Sequence, residues 1–463
     1  MQSKIRSDDT IAAIATPVGE GAISIVRISG QDAIDLGDRI FRGRTPLSLA
    51  AGYTVHHGYI HEADGHEVDE VLMTVFRTPH SYTGEDCLEI GCHGGLVTSS
   101  RVLEVVLRHG ARQADPGEFT KRAFLNGKLD LSQAEAVADL VSARSLRAQE
   151  QSLGQLQGSL RNRIESLKVE MLEVCSLLEI DLDFSDEGIS VVSTDEIRRR
   201  LDGCLSALNR LLSSYEAGKI IRDGVRVVLA GPPNVGKSSL FNALLKQDRS
   251  IVSELPGTTR DYIEEGISIS GILFLLVDTA GARETSDSAE LQGVARSRKL
   301  LRTSDITVAV VDSVNSVDRD FFDRWLGETS PERVILAFNK VDLRESVERP
   351  IGFPQFPGRS EVFVSAKTGF GLEELRSALI ASVAGSGPSG DFDVTITNKR
   401  HVETLERVKE ALEQALASAD RNLTNDFIAM DVRSAIGALS EITGEITSED
   451  VLNGIFARFC VGK

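Results

Sequence analysis

The stretch Gly231-Pro232-Pro233-Asn234-Val235-Gly236-Lys237-Ser238 fits the GxxxxGK(S/T) pattern of a phosphate-binding loop. An apolar run, Val225 to Ala230, precedes it, and a helical run, Ser239 to Leu245, follows. Strand, glycine loop and helix in this order are the context that gives the pattern meaning. The glycines let backbone N–H groups wrap phosphate oxygens at a helix N-terminus. In that arrangement Lys237 reaches the β and γ phosphates and the Ser238 hydroxyl ligates Mg2+. Asn234, Val235, Gly236 and Ser239 complete the cradle.

Three more short patterns follow in order. Asp278-Thr279-Ala280-Gly281 comes after the apolar run Ile272 to Val277, where an Asp serves the Mg2+ shell and a glycine N–H senses the γ-phosphate. Asn339-Lys340-Val341-Asp342 closes the run Val334 to Phe338. The Asp342 carboxylate accepts from both N1–H and the exocyclic amine of guanine. Adenine presents an acceptor at N1 and would leave that charge unpaired, which gives strong discrimination. Ser365-Ala366-Lys367, after Val362 to Val364, supports the base from the other side. Each pattern is weak alone; four in this order, each ending a strand, imply a guanine-nucleotide-binding P-loop domain.

Two departures from the small signalling GTPases bear on mechanism. Ala282 follows the Asp278 to Gly281 pattern, near where the Ras-type arrangement has its water-orienting Gln, so the hydrolytic residue must come from elsewhere. The carboxylates Glu284, Asp287 and Glu290 are the nearby source. The second departure is Asn234, whose amide oxygen could ligate a monovalent cation beside the phosphates and do the electrostatic work of an arginine finger. Ordinary turn chemistry is the alternative for this Asn.

These residues need a sheet to hold them. From about Ile221 to Val383, β-rich runs (including Ile306 to Val311) alternate with helical stretches, the pattern of a mostly parallel sheet with helices on both faces. The Gly- and Ser-rich run Ala384 to Gly390 reads as an exit linker. Before this block, Thr10 to Leu125 mixes short apolar runs (Ala22 to Ile28, Val71 to Phe76, Cys87 to Ile90) with Gly and Pro, as in an α+β module. From Leu131 the texture becomes helical. Leu146, Leu153, Leu156, Leu160, Ile164, Leu167 and Met171 mark one apolar stripe on a long helix, interrupted in composition by Gly154 and Gly158. The same period returns in Val402, Leu405, Val408 and Leu412, and in Ile428, Val432, Ile436 and Leu439. Isolated helices cannot bury such stripes, so the two flanking blocks are expected to form one bundle with the nucleotide domain inserted into it. Two independent helical units are the alternative.

Composition sets outer limits. The 463 residues exceed a usual domain length about two- to threefold, so three domains are expected. Apolar residues at 41% and charged residues at 26% exclude bulk disorder. Met1 to Thr10 are polar, and the apolar run from Ile11 stops at Pro17, short of a signal-peptide core. No segment approaches the roughly 18 apolar residues of a membrane span. A cytoplasmic protein without membrane contact is the expectation. Cys87, Cys92, Cys175, Cys204 and Cys460 form no CxxC pair, which fits neither a disulfide framework nor a zinc site. A net charge of −18 argues against a chain coated in nucleic acid, so any RNA must be held by a local patch or a second protein.

The full chain resembles the tRNA-modification GTPase MnmE (TrmE) family. The resemblance rests on Thr10-Ile-Ala-Ala-Ile-Ala-Thr-Pro17, Arg27-Ile-Ser-Gly30, Tyr82-Thr-Gly-Glu-Asp86 and Cys92-His-Gly-Gly95. Further marks are Pro116-Gly-Glu-Phe119, Arg122-Ala-Phe-Leu-Asn126, Lys128-Leu-Asp130, Gly257-Thr258-Thr259-Arg260-Asp261 and Phe459-Cys460-Val461-Gly462-Lys463. Pro256 and the doubled proline at Pro233 depart from the usual pattern in a minor way.

The resemblance implies an N-terminal folate-binding and dimerisation domain (1–125), a discontinuous helical domain (126–220 and 384–463) and an inserted G domain (221–383). It also implies that Thr259 joins Ser238 at Mg2+, and that Asn234, Ser253, Leu255 and Thr258 surround K+, which helps two G domains of a homodimer meet. Glu290 would position the attacking water. A 5-formyl- or 5,10-methylene-tetrahydrofolate would bind at Arg27, Glu89, Lys128 and Lys463. That set suits a pterin, whose donors a carboxylate accepts, and a glutamate tail, whose charge Arg and Lys pair. Cys460 matches the family's C-terminal signature; it is either a thiolate nucleophile or an ordinary buried cysteine.

The reaction implied is installation of an aminomethyl-type (carboxymethylaminomethyl) group at C5 of the wobble uridine of certain tRNAs, with the FAD protein MnmG (GidA) as partner in a heterotetramer or larger complex. A ribosome-assembly GTPase of the Era or Der type is the alternative, and it calls for a basic RNA-binding domain that the sequence lacks. A purely regulatory switch is the other, and it calls for no folate binding by the isolated protein.

Overall fold

The computed structural model describes residues 9–17, 19–185, 192–248, 263–278, 304–315, 333–349, 353, 358–384, 394–421 and 423–463. They fall into two compact units: Met1–Ala138 with Gln155–Ile164 and Gly437–Lys463, and Asp139–Gly154 with Glu165–Ile436.

The first unit is built on a sheet of β1 (Ile11–Ile14), β2 (Ile23–Ser29), β3 (Phe41–Gly43), β4 (Thr54–His61), β5 (Glu67–Phe76), β6 (Cys87–His93) and β7 (Arg112–Gln113), in the order β3-β4-β5-β6-β2-β1-β7. All neighbours are antiparallel except β1 and β7. Alternation along these strands turns Val26, Ile28, Val71, Met73, Leu88 and Ile90 inward against the helices Ala33–Ile40 and Leu96–Arg108. The α+β reading of this segment holds. A satellite core joins Leu131, Ala134 and Val137 to Leu452, Phe456 and Phe459, so residues near the end of the sequence pack on the helices that follow the sheet.

In the second unit the sheet comprises β8 (Val225–Ala230), β9 (Ile263–Ile269), β10 (Ile272–Asp278), β11 (Ile306–Asp312), β12 (Val334–Asn339) and β13 (Ser360–Phe363), ordered β13-β12-β11-β8-β10-β9. Every pairing is parallel except that of β9 with β10. The central strands are buried on both faces, which is why they read as largely apolar runs: all seven residues of β11 and all six of β12 are buried. One face carries the helices Lys237–Asp248 and Leu372–Ala384 over Val227, Leu229, Phe274, Val308 and Ile335. The other buries Ala309, Val311, Leu336 and Phe338 beneath Phe353.

Around this sheet domain the helical blocks join. Helix Lys399–Asp420, from beyond the sheet, packs along Thr194–Ser213, from before it, and Arg198 reaches Asp420 at 3.0 Å. Both helices begin with a side-chain cap, Asn398 accepting from the Arg400 amide and Ser193 from the Glu196 amide. Helices from before and after the sheet domain thus pack on one another, as the shared period leads one to expect.

One helix differs from expectation. The stripe read as a single long helix from Leu146 is two, Leu146–Leu156 and Ser159–Ser185, broken where Gly158 takes φ +95°. Leu160, Ile164, Leu167 and Met171 are buried, whereas Leu146 is 67% exposed.

Candidate nucleotide site and N-terminal site

The parallel order places β8 between β10 and β11, so the chain leaves β8 at a switch point, where open parallel sheets bind ligands beyond their strand ends. The phosphate loop lies there. Gly231 has φ +154°, and a Cβ on it would sit 2.4 Å from the Val310 carbonyl oxygen. Asn234 has φ +62°, the left-handed conformation that Asn tolerates in turns, and is exposed.

Lys237 is buried and its ammonium donates to the Gly231 and Pro232 carbonyls at 2.9 and 2.8 Å. Burial lowers its pKa, and the Asp278 carboxylate opposes that shift. The Ser238 hydroxyl donates to Asp278 Oδ2 at 2.8 Å, so the last residue of β10 and the first turn after the loop share one contact. A hydroxyl and a buried carboxylate are the hard oxygen donors that Mg2+ prefers, and their pairing fits a magnesium site.

The base-recognition loop is tied to the phosphate loop by its own side chains. Asn339 is buried; its Nδ2 donates to the Val235 carbonyl at 2.9 Å and its Oδ1 accepts from the Ala366 amide at 3.1 Å. Lys340 donates to the Asn234 carbonyl at 2.7 Å. Ser365 donates to Asp342 Oδ1 at 2.6 Å, holding an exposed carboxylate in place, and Lys367 is exposed beside it. Asn234, Val235, Gly236, Lys237, Ser238, Asp278, Asn339, Lys340, Asp342, Ser365 and Ala366 are thus linked at one end of the sheet. Ser239 is exposed on the first turn of its helix. Ser253, Leu255, Thr258, Thr259, Thr279, Ala280, Gly281 and Glu290 lie outside the described residues, as do Ala282, Glu284 and Asp287.

The N-terminal candidates are brought together in part. Arg27 and Glu89 are register partners on β2 and β6, with Arg27 Nε and Nη2 both on Glu89 Oε1 at 2.9 and 2.8 Å. The Arg27 guanidinium lies 5.3 Å from the Tyr82 ring centre and 5.7 Å from that of Phe119. Burial lowers the pKa of Lys463 and the positive charge of Arg27 lowers it further, with Cys460 working the other way. Residues 459–463 are carried to this place because Gly462 lies against β1, where a Cβ would meet the Ile14 carbonyl oxygen at 2.4 Å. Lys128 is engaged differently, donating to the Pro79 carbonyl at 3.1 Å.

Sequence reasoning did not single out Tyr82 and Phe119 as site residues, although both lie in the motifs that carry the resemblance. Asp312 was missed as well: it extends an apolar strand by one residue and pairs with Lys340 at 2.7 Å. Cys87, Cys92, Cys175 and Cys204 are buried, with burial pushing Cys87 up to about 12, whereas Cys460 is exposed.

Comparison with known proteins settles the ancestry. The family described as the MnmE helical domain matches residues 131–460, and the GTP-binding protein TrmE N-terminus matches residues 10–128. The chain belongs to the MnmE family. The "tRNA modification GTPase MnmE" of Symbiobacterium thermophilum is 44% identical over 464 residues, covering 98% of this chain and 100% of that one. Its namesake in Syntrophus aciditrophicus is 43% identical, covering 98% and 99%. Among solved structures, the G domain of the T. maritima FeoB iron transporter is similar over 34% of this chain and 98% of its own, at 31% identity and a TM-score of 0.27. This MnmE-family chain has no helix, among its described residues, long and apolar enough to cross a membrane.

Proposed function

We propose that this chain is a potassium-activated GTPase. With the FAD protein MnmG it would install an aminomethyl-type group at C5 of the wobble uridine of certain tRNAs from a tetrahydrofolate one-carbon donor. The observation that carries the reading is the convergence of phosphate loop, Ser238–Asp278 pair and base-recognition loop at one sheet end, in a chain that aligns with MnmE relatives over 98% of its length. Ser238, Asp278 and Thr259 would hold Mg2+, which supplies charge neutralisation at the phosphates when bound. Lys237 is withdrawn onto loop carbonyls and turns to the β and γ phosphates. Asp342 selects guanine, Asn234 with Ser253, Leu255 and Thr258 takes K+, and Glu290 orients the water.

At the N-terminal site, Arg27 is engaged by Glu89 through two of its nitrogens, so its role is to aim the Glu89 carboxylate at the pterin. The anionic tail then falls to Lys463 and Lys128. The division at 125/126, 220/221 and 383/384 belongs to this proposal, as does a homodimer through the first domain. Exposed Val55, Tyr59 and Leu72 on one face of β4 and β5 support that dimer.

The test is GTP hydrolysis by the purified protein in potassium and in sodium buffer, with Asn234→Ala and Glu290→Ala alongside. Strong stimulation by potassium that both variants lose is the expected outcome. Equal rates in the two salts return the Era/Der-type alternative.

A further inference from the structure

The carboxylate of Asp312 lies outside every motif that defines the nucleotide site, yet it is built into that site. It ends β11 as the register partner of Asn339, which ends β12, and the Ser313 amide donates to the Asn339 carbonyl at 2.9 Å. Asp312 is 9% exposed. Its Oδ1 accepts from the amides of Val314 and Asn315 at 2.8 and 3.3 Å, and its Oδ2 accepts from Asn315 Nδ2 at 2.8 Å. The remaining acceptor capacity of Oδ2 goes to the Lys340 ammonium at 2.7 Å. That ammonium also donates to the Asn234 carbonyl, in the phosphate loop.

Lys340 stands at φ +67°, a conformation costly to a long side chain, so something must hold it there. A largely buried carboxylate fixed by three other donors is a rigid counter-ion for that purpose, since no rotamer freedom remains to be lost when the pair forms.

We propose that Asp312 is a positioning residue for nucleotide retention: it holds Lys340 against the Asn234 carbonyl, locks the base-recognition loop to the phosphate loop, and thereby sets how fast a guanine nucleotide leaves. The inference rests on the guanine-nucleotide reading above. It assigns Asp312 no contact with nucleotide; its effect passes through Lys340. Burial works against the ionised carboxylate, and the Lys340 hydrogen bond and the two backbone amides outweigh it, keeping Asp312 below the ordinary carboxylate range.

The experiment measures release of a fluorescent GDP from the full-length protein by stopped flow. It uses wild type, Asp312→Asn, Lys340→Met and the double variant. Asp312→Asn keeps an acceptor for the backbone amides but turns a donor toward Lys340, so release should quicken about tenfold. In the Lys340→Met background the same substitution should change release less than about twofold, because the pair is already gone. Equal acceleration in both backgrounds would show that Asp312 merely shapes its loop and would overturn the inference; so would wild-type release from Asp312→Asn. Asn315→Ala, a milder change that removes one donor to the same Oδ2, covers the case in which Asp312→Asn does not fold. Release about two- to threefold faster supports the proposal, and a wild-type rate counts against it. Failure of the wild-type protein to bind the GDP probe would instead sink the guanine-nucleotide reading itself.

Discussion

Gly236 shows how tightly the chemistry constrains single positions. Its φ is +96°, and a Cβ there would come within 2.3 Å of Asn339 Nδ2. Gly236→Ala must therefore strain the backbone and push the Asn339 amide off the Val235 carbonyl, a combined cost of about 2 kcal/mol. GDP affinity measured by fluorescence titration is expected to fall by at least about tenfold, with the Asp278-side contacts untouched. The same comparison explains which residues could be read in advance. Gly236, Lys237 and Ser238 announce themselves through fixed spacing. Asp312 has no such signature: a lone Asp closing the largely apolar run Ile306 to Val311 is an ordinary strand end until the fold sets it opposite Asn339.

The break between Leu156 and Ser159 is the clearest case of local chemistry overriding a periodic pattern. The apolar spacing continues through the break in the sequence, but Gly158 adopts φ +95°, and side chains bridge the break to the helix Leu131–Ser142. Gln133 Nε2 donates to the Leu156 carbonyl at 2.8 Å, and Gln155 Nε2 donates to the Ser132 carbonyl at the same distance. A Cβ at Gly158 would meet only Gln133 Nε2, at 3.9 Å, so Gly158→Ala carries the conformational penalty alone. That penalty is about 1 kcal/mol, to be seen as a lower urea midpoint at unchanged slope. A much larger loss would mean that the site is crowded as well as left-handed. Periodicity could not foresee the break because the leucine spacing runs straight through it in the sequence, whereas in the fold the first helix buries Ala148, Ser152 and Gln155 and leaves Leu146 and Leu153 exposed.

Stability of the first unit has an electrostatic component at the join of β7 with the following helix, Glu118–Leu125. Glu118 is 5% exposed and Arg122 3% exposed. Glu118 accepts from Arg112 at 2.6 and 3.1 Å, from Arg122 at 3.1 Å and from the Asp115 amide at 2.8 Å, while Arg122 also pairs with Asp9 at 2.6 Å. Burial works against the Glu118 carboxylate, yet the Arg112 hydrogen bond and the Asp115 amide more than compensate, and its pKa sits below the usual value. For a carboxyl held low in the folded state, the stabilisation is complete above the unfolded pKa of about 4.3 and disappears as pH falls through the folded pKa. Glu118→Gln should destabilise the unit by about 3 kcal/mol near neutral pH and flatten its loss of stability in acid. Thermal melts from pH 7 to pH 3 read both effects, and an unchanged acid slope would remove Glu118 from the account. What could be read from the amino-acid order were features encoded over short distances: the four nucleotide motifs, the apolar runs of buried strands and the helical stripes. Long-range closure was not legible. That residues 459–463 return to β1, that Arg27 lies over the Tyr82 and Phe119 rings, and that Asp312 meets Lys340 depend on strand order and register. Those are set by packing within each core, and no local window of residues contains that information.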